Sequence, residues 1–153
     1  MTRPLALAML LLAAAPLAAR DSLGVYDGWA AFRDASPARC YAIAKAEGNS
    51  AVGAYATIST WPGKGVRGAV HIVLSHEVSP KATVRLAVGD KRFTLVTKGR
   101  NAWAADPRED AAIIAAIRSA ARMSVSGGGF TDRYTLTGAA TAIDAATVGC
   151  AKR

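Results

Sequence analysis

The chain has 153 residues, 19 basic against 11 acidic, and a formal charge of +8. That length holds one domain with its own core and excludes two ordinary ones. The 52% hydrophobic content is raised by a Leu/Ala-rich start and by alanine throughout, so it is not a membrane signal.

Thr2 and Arg3 open the chain with a short positive segment, residues 5–15 are an uncharged Leu/Ala run, and Pro16 is followed by Leu17-Ala18-Ala19. This is the layout of an export signal. Cleavage is expected after Ala19, with a second candidate position after Ala15. The apolar run is shorter than the roughly 20 residues that cross a bilayer, so no membrane span is expected. Residues 1–19 therefore read as a signal peptide and residues 20–153 as a single β-rich domain, periplasmic or secreted. Loss of Arg3 lowers the charge by one. The remaining positive balance either serves solubility or favours an acidic protein or anionic envelope component, and export directs it away from nucleic acid.

Residues 26–33 and 39–45 carry aromatic and apolar side chains around Asp34-Ala35-Ser36-Pro37 and read as two strands joined by a turn. A third strand, 54–61, ends at Pro62-Gly63-Lys64-Gly65. In 67–76, Val70, Ile72 and Leu74 alternate with His71, Val73 and Ser75, the period of a strand with one face inward. Residues 82–88 repeat that alternation. Gly89-Asp90 supplies a two-residue hairpin loop, with Gly at the position that needs positive φ. The returning strand, 91–97, places Phe93 and Leu95 toward the core. Residues 98–101 read as a polar turn, after which Trp103 closes over one end of the core.

Asp106 caps a helix, with Pro107 at its first position and Glu109 completing a capping box. Its expected course to about Arg122 puts Ile113, Ile114, Ile117 and Ala121 on one stripe facing a sheet. Arg118 and Arg122 then lie where the helix dipole favours positive charge. Residues 123–125 and 130–136 make a hairpin around Gly127-Gly128-Gly129, and a short Ala-rich helix, 138–148, stops at Gly149. At least six strands with hairpin connections and no βαβ alternation predict a mainly β fold, α+β at the margin. The architecture is an antiparallel β-sandwich or open barrel with one amphipathic helix and a short C-terminal helix.

Cys40 and Cys150 form an even pair, which in an oxidising compartment reads as one disulfide. The chain-entropy model gives a loop of that length roughly 4–5 kcal/mol of stabilisation. No C-x-x-C motif or odd thiol points to a catalytic cysteine.

Little else in the sequence points to catalysis. His71 and His76 are five apart on a strand, so they face opposite ways and cannot share a metal. Ser124-Val125-Ser126-Gly127 lacks the glycine that precedes serine in a nucleophile elbow. Asp106, Glu109 and Asp110 are explained by a first helical turn. The triple glycine is followed by neither lysine nor helix, so it is no phosphate loop. No catalytic residue, metal or cofactor is assigned. Lys91, Arg92, Lys98 and Arg100 flank one hairpin strand, with Arg67 and Arg85 near, and read either as an anion-binding, partner-binding edge or as protection of a sheet edge. Trp29, Tyr41, Tyr55 and Trp61 read as core or as a ligand patch.

Trp29 ahead of Arg39-Cys40-Tyr41, the run Gly65-Val66-Arg67-Gly68 and the closing segment Gly129-Phe130-Thr131-Asp132-Arg133-Tyr134-Thr135-Leu136-Thr137-Gly138 with a final cysteine carry a resemblance. Over nearly the whole mature chain, the pattern resembles the invasion-associated locus B family of Gram-negative envelope proteins. Where some members carry a cysteine shortly after the early tryptophan, this chain has Phe32-Arg33. The resemblance implies a secreted or periplasmic β-rich domain associated with host-cell entry and without an established enzymatic activity. The expected function is thus a non-enzymatic envelope protein that binds an envelope or host component through the hairpin 91–100. The alternative is a periplasmic inhibitor of a protease or wall hydrolase, presenting the turn 61–65 or the triple glycine.

Overall fold

A computed structural model describes residues 20–48 and 51–151, and the expected signal peptide, 1–19, lies outside the described residues. Strand β1 (Arg20–Tyr26) turns at Asp27-Gly28 onto β2 (Trp29–Ala35), with Asp27 at φ 54°. Asp-Gly is a strong signal for a two-residue hairpin loop. The strand expected at 26–33 is therefore interrupted near its start, and an additional strand precedes it. β3 (Ala38–Lys45), β4 (Tyr55–Trp61), a 3-10 turn (Pro62–Lys64), β5 (Val66–Val78), β6 (Val84–Val88) and β7 (Lys91–Trp103) follow. Helix α1 (Pro107–Ser119), β8 (Arg122–Gly127), β9 (Phe130–Thr135) and helix α2 (Ala139–Ala151) complete the described chain.

All described strand pairs are antiparallel, in the order β1-β2-β3-β4-β5-β7-β6-β8-β9. The fold is mainly β, as expected, and the sheet does not close into a barrel. β7 joins its two parts. Lys91 to Leu95 pair with β6, and Gly99 to Trp103 pair with β5. Residues 98–101, expected as a turn, instead continue the strand. Gly99, at φ 61°, is a single left-handed residue that bends a strand without ending it. Past that bend the inward position is Ala102, whereas Trp103 faces out, 37% exposed and stacked on His71 at 5.4 Å. Trp103 does not close the core. Trp29, fully buried, does so, donating its indole N–H to the Thr135 carbonyl at 2.9 Å.

The register between β5 and β7 breaks from Val73 to Val78, and side chains serve the backbone there. The Leu74 carbonyl accepts from Arg100 Nε at 2.8 Å, and the Ser75 N–H donates to Asp132 Oδ2 at 2.9 Å. Asp132 is 1% exposed, and this bond satisfies an acceptor that would otherwise be costly to bury.

Helix α1 begins at the Asp106 cap expected from its sequence, although Glu109 takes the N–H one residue before the cap and not that of Asp106 itself. Asp106 accepts from the N–H groups of Arg108 and Glu109 at 2.8 and 2.9 Å, while Glu109 reaches back to the Ala105 N–H. Ile113, Ala116 and Ile117 are its buried face, packed against β5, β6 and β7. It ends at Ser119, short of Arg122, because Ala120 is extended and Arg122 opens β8 opposite Thr135. Strand pairing takes these residues, so Ala121 leaves the stripe and its carbonyl accepts from the Leu136 N–H.

Helix α2 lies across β1–β4 and buries Ala139, Ala142, Ile143 and Ala146. Ala31, Ala42, Ala44 and Ala56 are buried in the same core cluster, so small residues meet small residues and the helix comes close to the sheet. The helix runs through Gly149 to Ala151. That glycine admits the Leu23 side chain, whose Cδ1 would lie 2.5 Å from a Cβ there. The expected disulfide is present: Cys150 in α2 is bonded to the buried Cys40 in β3, 110 residues away.

Candidate functional site

The four basic residues singled out in the sequence do not converge. Lys91 and Arg92 begin β7 and Lys98 and Arg100 sit near its other end, up to about 30 Å away at the rise of an extended strand. Lys91 lies 4.0 Å from Asp90, and the Arg92 guanidinium closes its own turn by donating to the Gly89 and Lys91 carbonyls. Arg100 donates to the Leu74 and Val52 carbonyls and so holds two segments of the fold together. His71 and His76 are likewise separate. His71 Nε2 lies 2.9 Å from Asn101 Oδ1, whereas His76 stacks on Phe130. Among the described residues no group of three His, Cys, Asp or Glu side chains is placed to hold a metal.

The outer face of the sheet, opposite α2, gathers a different set. Cys40 points inward to its disulfide, so alternation turns Arg39 and Tyr41 outward. Register then places Asp34 beside Arg39, and Phe32 and Ser59 on either side of Tyr41. The Arg39 guanidinium carbon lies 3.9 Å from the Tyr41 ring centre and 5.0 Å from that of Trp61. Lys64 Nζ lies 4.8 Å from the Trp61 ring centre. Arg20 stands over Tyr41 and Phe32 at 5.8 and 5.9 Å and is paired with Asp34 at 3.0 Å. Beside them is a depression of about 470 Å³ lined by Arg20, Asp34, Ser36, Pro37, Arg39 and Trp61.

Each such cation–ring contact contributes about 0.5–1 kcal/mol at exposed sites and more where water is excluded. Tyr41 is 3% exposed. Burial, then the charge on Asp34, push its phenol upward against the opposing pull of Arg20 and Arg39, so the ring stays neutral and serves as a platform. Arg39 Nε is buried without a hydrogen-bond partner among the described residues. The terminal amino groups of a guanidinium held over a ring can still donate to the oxygens of an anion. The surface can therefore hold an anionic group against Arg39, with Lys64 adding charge and the aromatic rings adding contact area.

Arg20, Arg39, Lys64 and Phe32 were not picked out from the sequence as a site. The signal present was Arg39-Cys40-Tyr41 itself, because an inward cysteine in a strand forces both neighbours onto the opposite face. No family model, curated protein or solved structure matches this chain.

Proposed function

We propose that this protein is an exported, non-enzymatic binding domain of the invasion-associated locus B type, and that it holds an anionic envelope or host component on its outer sheet face. The observation that carries this reading is the placement of Arg20, Arg39 and Lys64 over Phe32, Tyr41 and Trp61. A disulfide linking the first third of the chain to its end supports a compartment where disulfides persist, in keeping with the leader-like start. The excess of basic over acidic residues, +8 in the full chain and one less without Arg3, supports an acidic partner.

The test compares charge reversals at two places. Binding to heparin and to vesicles containing phosphatidylglycerol is measured for Arg39→Glu/Lys64→Glu and for Lys91→Glu/Arg92→Glu, which change net charge equally. The outer-face pair is expected to weaken binding at least tenfold and the hairpin pair to have a much smaller effect. Equal losses would mean that net charge alone drives binding, and no binding by the unaltered protein to either probe would remove the anionic partner.

A further inference from the structure

The two helices cover neighbouring parts of the sheet and leave a cleft of about 520 Å³ between them, within the roughly 300–1,000 Å³ range of small-ligand pockets. Its walls include Ile58, Val66, Ile114, Ile143 and Ala146, with Cys150 of the disulfide also lining it. Of the lining hydroxyls, Thr147 is already committed, donating to the Ile143 carbonyl at 2.8 Å. Such walls suit an occupant with an apolar body.

Charge enters the cleft through Arg67 and Arg118. Arg118 is bonded to Asp144 of α2 at 2.8 Å, a pair that bridges the two helices and largely cancels its charge. Arg67 is exposed and has no carboxylate within 4.0 Å among the described residues. Its placement follows from Gly68, which lies at φ 72° where the β4–β5 register shifts. A bulge of this kind changes which residues face inward, so Arg67 lines the cleft two residues before the regular pairing resumes at Ala69. A Cβ at Gly68 would also lie 2.8 Å from Ile114 Cδ1, so the same glycine keeps the α1 wall in place. The cleft thus combines an apolar body with one uncompensated guanidinium.

We infer that this cleft binds a free fatty acid, its acyl chain lying along Ile58, Ile114, Ile143 and Ala146 and its carboxylate accepting hydrogen bonds from Arg67. The site is on the opposite side of the sheet from the cation–aromatic surface and does not depend on it. The positive charge at the rim selects a carboxylate over a neutral head, and the apolar walls select chain length.

Dodecanoate is titrated into the disulfide-bonded protein and followed by amide chemical shifts and calorimetry. Saturable one-to-one binding is expected, with the largest shifts at Ile58, Ile114, Ile143 and Ala146. Octanoate should bind at least tenfold more weakly because it buries fewer methylenes. Dodecanol, with the same chain and no charge, should also bind at least tenfold more weakly. Arg67→Gln, at an exposed position that the core does not need, should reproduce that loss for dodecanoate and leave dodecanol unchanged. Ala146→Phe should fill the cleft and abolish binding. If that variant fails to fold, Arg67→Gln still decides the matter. Absence of saturable binding, equal affinity for dodecanol, or an unchanged Arg67→Gln variant would each overturn the assignment. Capture on phosphatidylglycerol vesicles without a dodecanoate response would do the same, since the attraction would then be to a membrane surface.

Discussion

Helices α1 and α2 have the same length and lie on the same sheet, yet they are held there by different means. α1 carries its own instructions: Asp106 and Pro107 start it, and Ile113 and Ile117 give it a face of large apolar side chains. α2 has alanine as its commonest residue and is buried through Ala139, Ala142, Ile143 and Ala146. Alanine favours the helical state but supplies little apolar area, so α2 relies on close approach to the alanines of β2–β4 and on Cys150. A helix poor in side-chain area can be docked firmly when a covalent link removes the entropy of its free state. A helix rich in area needs only its cap and its stripe.

The strongest way to break this comparison is to cut the link. Cys150→Ala with Cys40→Ala should cost about 4–5 kcal/mol by loop-closure entropy, read as a lower urea midpoint. Hydrogen exchange should show amides in α2 opening before those in α1, and equal exchange in both helices would contradict the contrast. Next in size, Ile113→Ala should cost about 2–5 kcal/mol through the cavity it leaves under α1. The converse change under α2 sharpens the point. Ala142→Leu should cost about 1–3 kcal/mol by overpacking a helix that has no room, whereas a neutral result in thermal unfolding would show that α2 sits farther from the sheet.

Asp106→Ala should remove about 1 kcal/mol by leaving the first N–H groups of α1 uncapped, measured by chemical denaturation. The smallest expected effect is a pH dependence in the same helical turn. Asp110 accepts from the Val70 N–H at 2.8 Å. Burial pushes its carboxyl above the usual 3.8, the Val70 hydrogen bond opposes this, and Glu109 and Asp106 add to the rise. A raised folded-state value means that the protonated form contributes stability, in full below 3.8, and that this contribution is lost as pH rises through the folded value. Asp110→Asn keeps an acceptor for Val70 and removes the titration. The stability of the unaltered protein relative to this variant should therefore fall as pH rises from 3.5 toward 7, followed by urea midpoints. A gap that does not change with pH would place the carboxyl in free contact with water.

Some elements were legible because their causes are local. The β6–β7 hairpin follows from Val84, Leu86 and Val88 alternating up to Gly89-Asp90, and α1 follows from its cap. The β1–β2 turn was equally local, since Asp27-Gly28 is in plain view, but the apolar run after Tyr26 obscured it. The continuation of β7 through Gly99 was not legible. One positive-φ glycine reads the same in a turn as in a bulge, and the choice is made by β5, whose free edge pairs with Asn101 and Ala102. The surface around Arg39 was half legible, because alternation about Cys40 sets the outward direction of Arg39 and Tyr41. Trp61 and Lys64 reach them only through the β3–β4 pairing.

The amino-acid sequence by itself determined the β-rich class, the start of α1, the β6–β7 hairpin and the pairing of the two cysteines, each through signals within a few residues or through the count of cysteines. Tertiary structure alone decided which cations meet which rings, where β7 bends, that Arg100 and Asp132 serve the broken ladder of β5, and that two helices leave a cleft between them. These depend on register and on the distance between elements far apart in the chain, and no local propensity encodes either.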